Sequence, residues 1–149
     1  MSFDLSKCIG FVTDTAIKYI MEDFNRRLEK EGSTRIQWIA LYFLNRAEKP
    51  TSQKELALMM NIQDSTLARL VDRMVRDELL VRVENQADKR VKFIELTEKG
   101  RLKISDLMPI GENFSDLLLA NISSEELDIF QNVLDKMMLN IKHDPAKKE

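Results

Sequence analysis

Apolar residues recur at intervals of three and four along most of this chain, the period of helices that bury one face. Leu5, Ile9, Val12, Ala16, Ile20, Phe24 and Leu28 form one such stripe and predict a long first helix over 3–31, ended by Gly32. Thr34 and Gln37 have the spacing of a capping box, so a second helix should open there and run to Asn45 with Ile36, Ile39, Ala40, Phe43 and Leu44 inside. After Pro50, Ser52 and Glu55 repeat the box and predict a short helix to Met60. Asn61 stands where a left-handed terminator belongs, and a further helix follows over 64–77. Two short helices joined by so tight a turn make a helix-turn-helix.

Beyond Leu79 the period shortens to two. Residues 80–84 and 91–96 alternate and are rich in β-branched side chains, with the polar stretch 85–90 between them, which predicts a two-stranded hairpin with a charged tip. Thr97 is placed to cap the next helix, expected to reach Asn121 and to kink at Pro109 and Gly111. Ser123 and Glu126 form a third box and open a last helix to Lys142, followed by a polar, frayed end over 144–149. Leu127, Phe130, Leu134, Met137 and Ile141 step by three and four, as do Ile104, Leu107, Gly111, Phe114 and Leu118. Seams of this kind suit helix-on-helix packing of the coiled-coil type. Together with the first helix they offer more apolar face than one small lobe covers, which favours an interchain seam and a homodimer.

Composition narrows the class. At 149 residues with 44% hydrophobic positions the chain is one domain's worth of sequence, and four Gly and three Pro argue for helix over loop. No apolar run approaches the ~18 residues of a membrane span, and no secretory signal is visible at the N-terminus, so the expectation is a soluble cytoplasmic protein. One cysteine (Cys8) and one histidine (His143) exclude a disulfide framework and a zinc site. No phosphate-binding Gly-rich loop, no nucleophile with a base and no His cluster point to an enzyme or a cofactor. Glu125, Glu126 and Asp128 are accounted for by the positive end of the helix they open. The formal net charge is −2, so any basic surface must come from the way residues face.

One stretch answers that requirement. If Leu67, Leu70, Val71 and Met74 are the buried face of the helix from Asp64, then Ser65, Thr66, Arg69, Arg73 and Arg76 lie outward. Hydroxyls and guanidiniums on an exposed helix suit the major groove of duplex DNA, where Arg reads guanine O6 and N7 together. Taken alone the same face is an ordinary solvated one, with Asp72 and Arg76 an i,i+4 pair. The hairpin tip adds Lys89, Arg90 and Lys92 beside Asp88, and an Arg held there is matched to a narrow minor groove. Between Arg69 and Lys92 seven basic residues stand against five acidic ones, a local excess in an acidic chain.

The run Asp88-Lys89-Arg90-Val91-Lys92-Phe93-Ile94-Glu95-Leu96-Thr97-Glu98-Lys99-Gly100 is similar to the Asp-x-Arg and Leu-Thr-x-x-Gly signature of the MarR (multiple antibiotic resistance regulator) family of transcription factors. Residues 64–74 resemble that family's recognition helix, and the resemblance extends over nearly the whole chain. It implies a mainly α fold with a small β-hairpin wing: a winged helix-turn-helix over 49–100 within a single domain, flanked by N- and C-terminal dimerisation helices over 3–31 and 101–142. It further implies a homodimeric, sequence-specific repressor of transcription that binds double-stranded DNA, with Asp88 positioning Arg90. A small aromatic or apolar effector between the dimer helices and the DNA lobe is also implied, with Tyr19, Trp38 and Tyr42 as candidate pocket residues. On spacing alone, Trp38 and Tyr42 read as packing.

Two alternatives stand beside this reading. Relatives that sense peroxides place a reactive Cys near Gly10 here with tyrosines near Asp14 and Arg35, and neither position is Tyr; Cys8 among Phe3, Leu5 and Phe11 reads as a small buried hydrophobe. The pI of 5.6 leaves open a winged-helix module that binds protein and not DNA.

Overall fold

The computed structural model describes residues 3–148. The chain divides at Phe114 and Ser115 into two compact units. The first begins with a 3-10 turn at Leu5–Lys7 and then α1 (Ile9–Glu29), so the expected single helix is broken at Cys8, whose backbone is extended. Cys8 is half-buried and not the enclosed hydrophobe expected of it. Only Phe24 and Leu28 of the predicted stripe are buried; Leu5, Ile9 and Val12 are exposed. Gly32, at φ +68°, takes the left-handed conformation after α1.

Local signals place the next elements. Thr34 accepts the Gln37 N–H at 3.3 Å and its own N–H is donated to the Gln37 side chain, opening α2 (Arg35–Arg46). The Ser52–Glu55 pair does the same for α3 (Gln53–Met60), and Asn61 at φ 52° ends it. The helix α4 (Asp64–Arg76) follows, with Leu67, Leu70, Val71 and Met74 all buried as the pattern requires. The strands β2 (Leu80–Glu84) and β3 (Lys92–Leu96) form the hairpin, with Leu80 opposite Leu96 and Glu84 opposite Lys92. A two-residue strand, β1 (Thr51–Ser52), pairs with the far edge of β3 through Thr51 and Ile94. The sheet is therefore three-stranded, in order β1-β3-β2, where the alternation alone predicted two strands.

The wing passes into α5 (Glu98–Leu118) through a tight junction. Thr97 donates its N–H to the Leu79 carbonyl and its hydroxyl to the Glu78 carbonyl, and that hydroxyl accepts the Gly100 N–H at 3.0 Å. The Leu-Thr-x-x-Gly run is thus a helix cap that ties α5 to the end of α4. Glu78, at φ 61°, makes the turn that brings those carbonyls round. Lys99 adds its ammonium to the Asp77 carbonyl, and Lys103 donates to the Glu31 carbonyl beyond α1.

As expected of a single helix, α5 continues through Pro109 and Gly111. Ile104, Leu107 and Phe114 are buried in the core, so this part of the seam is intramolecular and not an interchain contact. Trp38 rests against Gly111, where an added Cβ would lie 2.5 Å from Cζ2, and its indole N–H is donated to the Leu107 carbonyl at 3.3 Å. Phe24 packs edge-on to Trp38 and stacks on Phe114, with ring centroids 5.3 and 4.8 Å apart.

The second unit holds the end of α5, a left-handed Asn121 and α6 (Ser124–Lys142), capped by Ser123 and Glu126 as predicted. No residue of α6 is buried; Phe130 and Ile141 are each 57% exposed. Beyond α6, Pro145–Lys148 form a 3-10 turn, with the Ala146 N–H donated to the Asp144 carboxylate. No helix among the described residues is long and apolar enough to cross a membrane.

Candidate nucleic-acid interface

The amphipathic split of α4 sets one side of the site. Its four large apolar residues face the core, which leaves Ser65, Thr66, Arg69, Arg73 and Arg76 all exposed. Asp72 does not pair with Arg76 along the helix; it forms an ion pair with Arg82 of β2. The helix α4 is thereby tied to β2, and the arginines at 69, 73 and 76 make no ion pair among the described residues.

The wing tip sets the other side. The Asn85 side chain accepts the N–H groups of Ala87 and Asp88 and shapes the turn. Asp88 then grips Arg90 three times: Oδ1 accepts the Arg90 backbone N–H at 3.0 Å and Nε–H at 3.1 Å, and Oδ2 accepts a terminal N–H at 3.4 Å. These bonds, the side-chain ones first and then the backbone one, hold the Asp88 carboxyl below the usual carboxylate range. The fork is therefore intact at neutral pH and opens only as the pH falls through that lowered value. The Arg90 side chain remains 91% exposed, so it is oriented without being consumed. Lys89 and Lys92 are exposed beside it.

Between helix-turn-helix and wing lies a groove of about 380 Å³ lined by Ser52, Gln53, Lys54, Asp64, Arg90, Val91 and Lys92. Three cations face it against one carboxylate, Asp64. The groove also includes the start of α3 at Gln53 and Lys54. Gln53 and Lys54 were not among the residues singled out from the sequence. The Ser52–Glu55 box marked that helix start, but only the pairing of β1 with β3 brings it beside the wing. Among the described residues no cluster of three or more potential metal ligands occurs.

The candidate effector residues separate into two places. Tyr19, 71% exposed, lines a cavity of about 740 Å³ with Met21, Glu22, Asn25, Arg26, Arg35 and Ile36. Trp38 and Tyr42 stack on each other at 5.4 Å, against the aromatic cluster of the core, and line no part of that cavity. Arg26 and Arg35 were not anticipated there.

The model of the MarR family matches residues 31–91, which hold α2, both helices of the helix-turn-helix and the first wing strand. A structure of a protein of unknown function from Listeria innocua Clip11262 is 30% identical, with a TM-score of 0.68, covering 89% of this chain and 91% of that one. The S. aureus MepR–DNA complex is 21% identical with a TM-score of 0.83, covering 93% and 99%. The Bordetella bronchiseptica protein BpsR, whose DNA binding is regulated by 6-hydroxynicotinic acid, is 20% identical with a TM-score of 0.83, covering 93% and 98%. The last two are likenesses of fold.

Proposed function

Because residues 31–91 match the model of the MarR family, we propose that the chain is a member of that family, a sequence-specific DNA-binding repressor of transcription that acts as a homodimer. Two copies of α4 enter successive major grooves of a pseudo-palindromic site, about one helical turn apart. The observation that carries this reading is the pairing of an unengaged arginine face on α4 with an Arg90 already oriented by Asp88 across a cationic groove. A protein-binding module of the same fold has no use for such a fork. Base reading falls to Ser65, Thr66, Arg69 and Arg73, and backbone and minor-groove contact to Lys89, Arg90 and Lys92. Gln53 and Lys54 join the second group at the phosphate-facing end of α3. A small aromatic or apolar effector releases the DNA. Its site is the cavity of Tyr19, Arg26 and Arg35, with Trp38 and Tyr42 acting as packing behind it.

Three substitutions test the division of labour. Arg69→Ala is expected to cost about 1–3 kcal/mol on the preferred site and to relax preference at one symmetric base-pair position. Arg90→Ala should weaken binding to all sequences alike and flatten the salt dependence by about one unit per lost phosphate contact. Asp88→Ala separates positioning from bulk electrostatics, which favours tighter binding once a negative charge is gone. Loss of the fork instead predicts weaker binding, because Arg90 must then be ordered at the expense of its rotamer freedom. Titration of the three variants against specific and scrambled duplexes at two salt concentrations reads out all of this, and tighter binding by Asp88→Ala contradicts the positioning role.

A further inference from the structure

The helices α1 and α4 end in the same way. Each closes on a left-handed residue, Gly32 at φ 68° and Glu78 at φ 61°. Ser33 donates its N–H to the Leu28 carbonyl and Gly32 donates to that of Glu29; Leu79 donates to Met74 and Glu78 to Val75. These are two copies of one terminating motif, with bonds that reach back five and three residues. In both, the carbonyl just before the left-handed residue accepts a lysine of α5. Glu31 accepts Lys103, and Asp77 accepts Lys99 at 2.8 Å. Both lysines line a cavity of about 430 Å³ together with Asp77 and Asp106, yet neither of those carboxylates forms an ion pair among the described residues. The carboxylate that Lys99 does approach is that of Glu78, at 3.7 Å. The ammoniums are directed at the two helix ends.

Carbonyls left over at a helix C-terminus carry the negative end of its dipole, and a cation placed on them is stabilising. Here two helices that lie far apart in the chain are served from adjacent turns of a third, since residues at i and i+4 stand about 6 Å apart at Cβ. From this duplication we infer that Lys99 and Lys103 are positioning residues, a two-pronged strap by which α5 fixes the end of α4 against the end of α1. The outer face of α1 exposes Ile9, Val12 and Ile17, which a second copy covers in the proposed dimer. The strap therefore sets the separation of the two α4 helices, and with it the half-site spacing that the protein accepts. That consequence rests on the function proposed above. Neither lysine lines the groove between α3 and the wing, so neither is assigned a phosphate contact.

Three variants of the full chain test the strap. Lys99→Met/Lys103→Met removes both charges at similar length, and Lys99→Arg/Lys103→Arg keeps both donors. Arg101→Met removes a charge from the opposite side of α5, where Arg101 pairs with Glu98 at 4.0 Å. Amide exchange followed by NMR is the first readout. In the neutral variant the N–H groups of Ser33 and Leu79 should exchange at least about tenfold faster, while those of Leu41 and Leu107 in the core are unchanged. The other two variants should match the parent. The second readout is affinity for duplexes whose half-sites stand at the selected spacing or one base pair closer or farther. The neutral variant should lose about tenfold at the selected spacing and most of the parent's preference for it, at an unchanged salt slope because no phosphate contact is lost. Parental exchange at Ser33 and Leu79 in the neutral variant, or a rise shared equally by the core, overturns the strap. Faster exchange with the spacing preference intact, or a flattened salt slope, overturns its role in spacing. A parent that binds no duplex defeats the proposed function, and the exchange rates still decide the strap.

Discussion

Gly100→Ala is expected to destabilise the fold by about 2 kcal/mol or more, although helix propensity alone predicts a gain of about 1 kcal/mol from the same change. The two effects are of opposite sign, and geometry decides between them. Gly100 lies in the first turn of α5 and is buried. A Cβ there would stand 2.2 Å from the Leu79 carbonyl oxygen and 3.2 Å from Cδ2 of Leu96. The carbonyl cannot move aside without cost, since it accepts the Thr97 N–H, and Thr97 in turn holds the Glu78 carbonyl and the Gly100 N–H. Relief of the overlap therefore loosens the junction that orients the wing against α4. Urea unfolding should show a lower midpoint at unchanged slope. A variant more stable than the parent means that the junction yields, and with it the steric reading of this glycine.

The second large effect concerns assembly. A helix of 19 residues with none buried is not held by its own unit, and an isolated helix of this length is marginal in water. Ile129, Phe130, Met138 and Ile141 are each between 56% and 58% exposed. In the proposed dimer a second copy covers this face. Phe130→Glu with Ile141→Glu should give a monomer in sedimentation equilibrium while the melting of the lobe up to Phe114 is little changed. DNA affinity should fall by roughly 10²–10⁴, the gain that linkage of two half-sites supplies. A stable dimer of the double variant would refute the placement of the interface on α6.

What the sequence revealed follows from the range of each interaction. The boxes at Thr34, Ser52 and Ser123 and the turn at Asn61 depend on residues three or four apart, and all were legible. The outward face of α4 was legible for the same reason, because its four buried positions fix the rest. The Asp88–Arg90 fork spans two residues and was legible as chemistry before its geometry was known. The failures are non-local. Thr51 and Ser52 become a strand only because Ile94 and Phe93 come alongside. Asp72 has a helical neighbour in Arg76 but finds Arg82 across the fold. The periodicity of Ile104, Leu107 and Phe114 declares an apolar face without saying whether it meets this chain or another, and it meets this one. The spacing of Trp38 and Tyr42 marked them as packing, and only the resemblance grouped them with Tyr19, whose cavity they do not line.

The central claim, that α4 and the wing together read duplex DNA, is tested most directly by selecting fragments of the encoding genome with the purified full-length protein. Enrichment of a palindromic site with half-sites about one helical turn apart, bound with an affinity that falls steeply as salt rises, is the predicted result; recovery of no common site, or binding indifferent to salt, would contradict it.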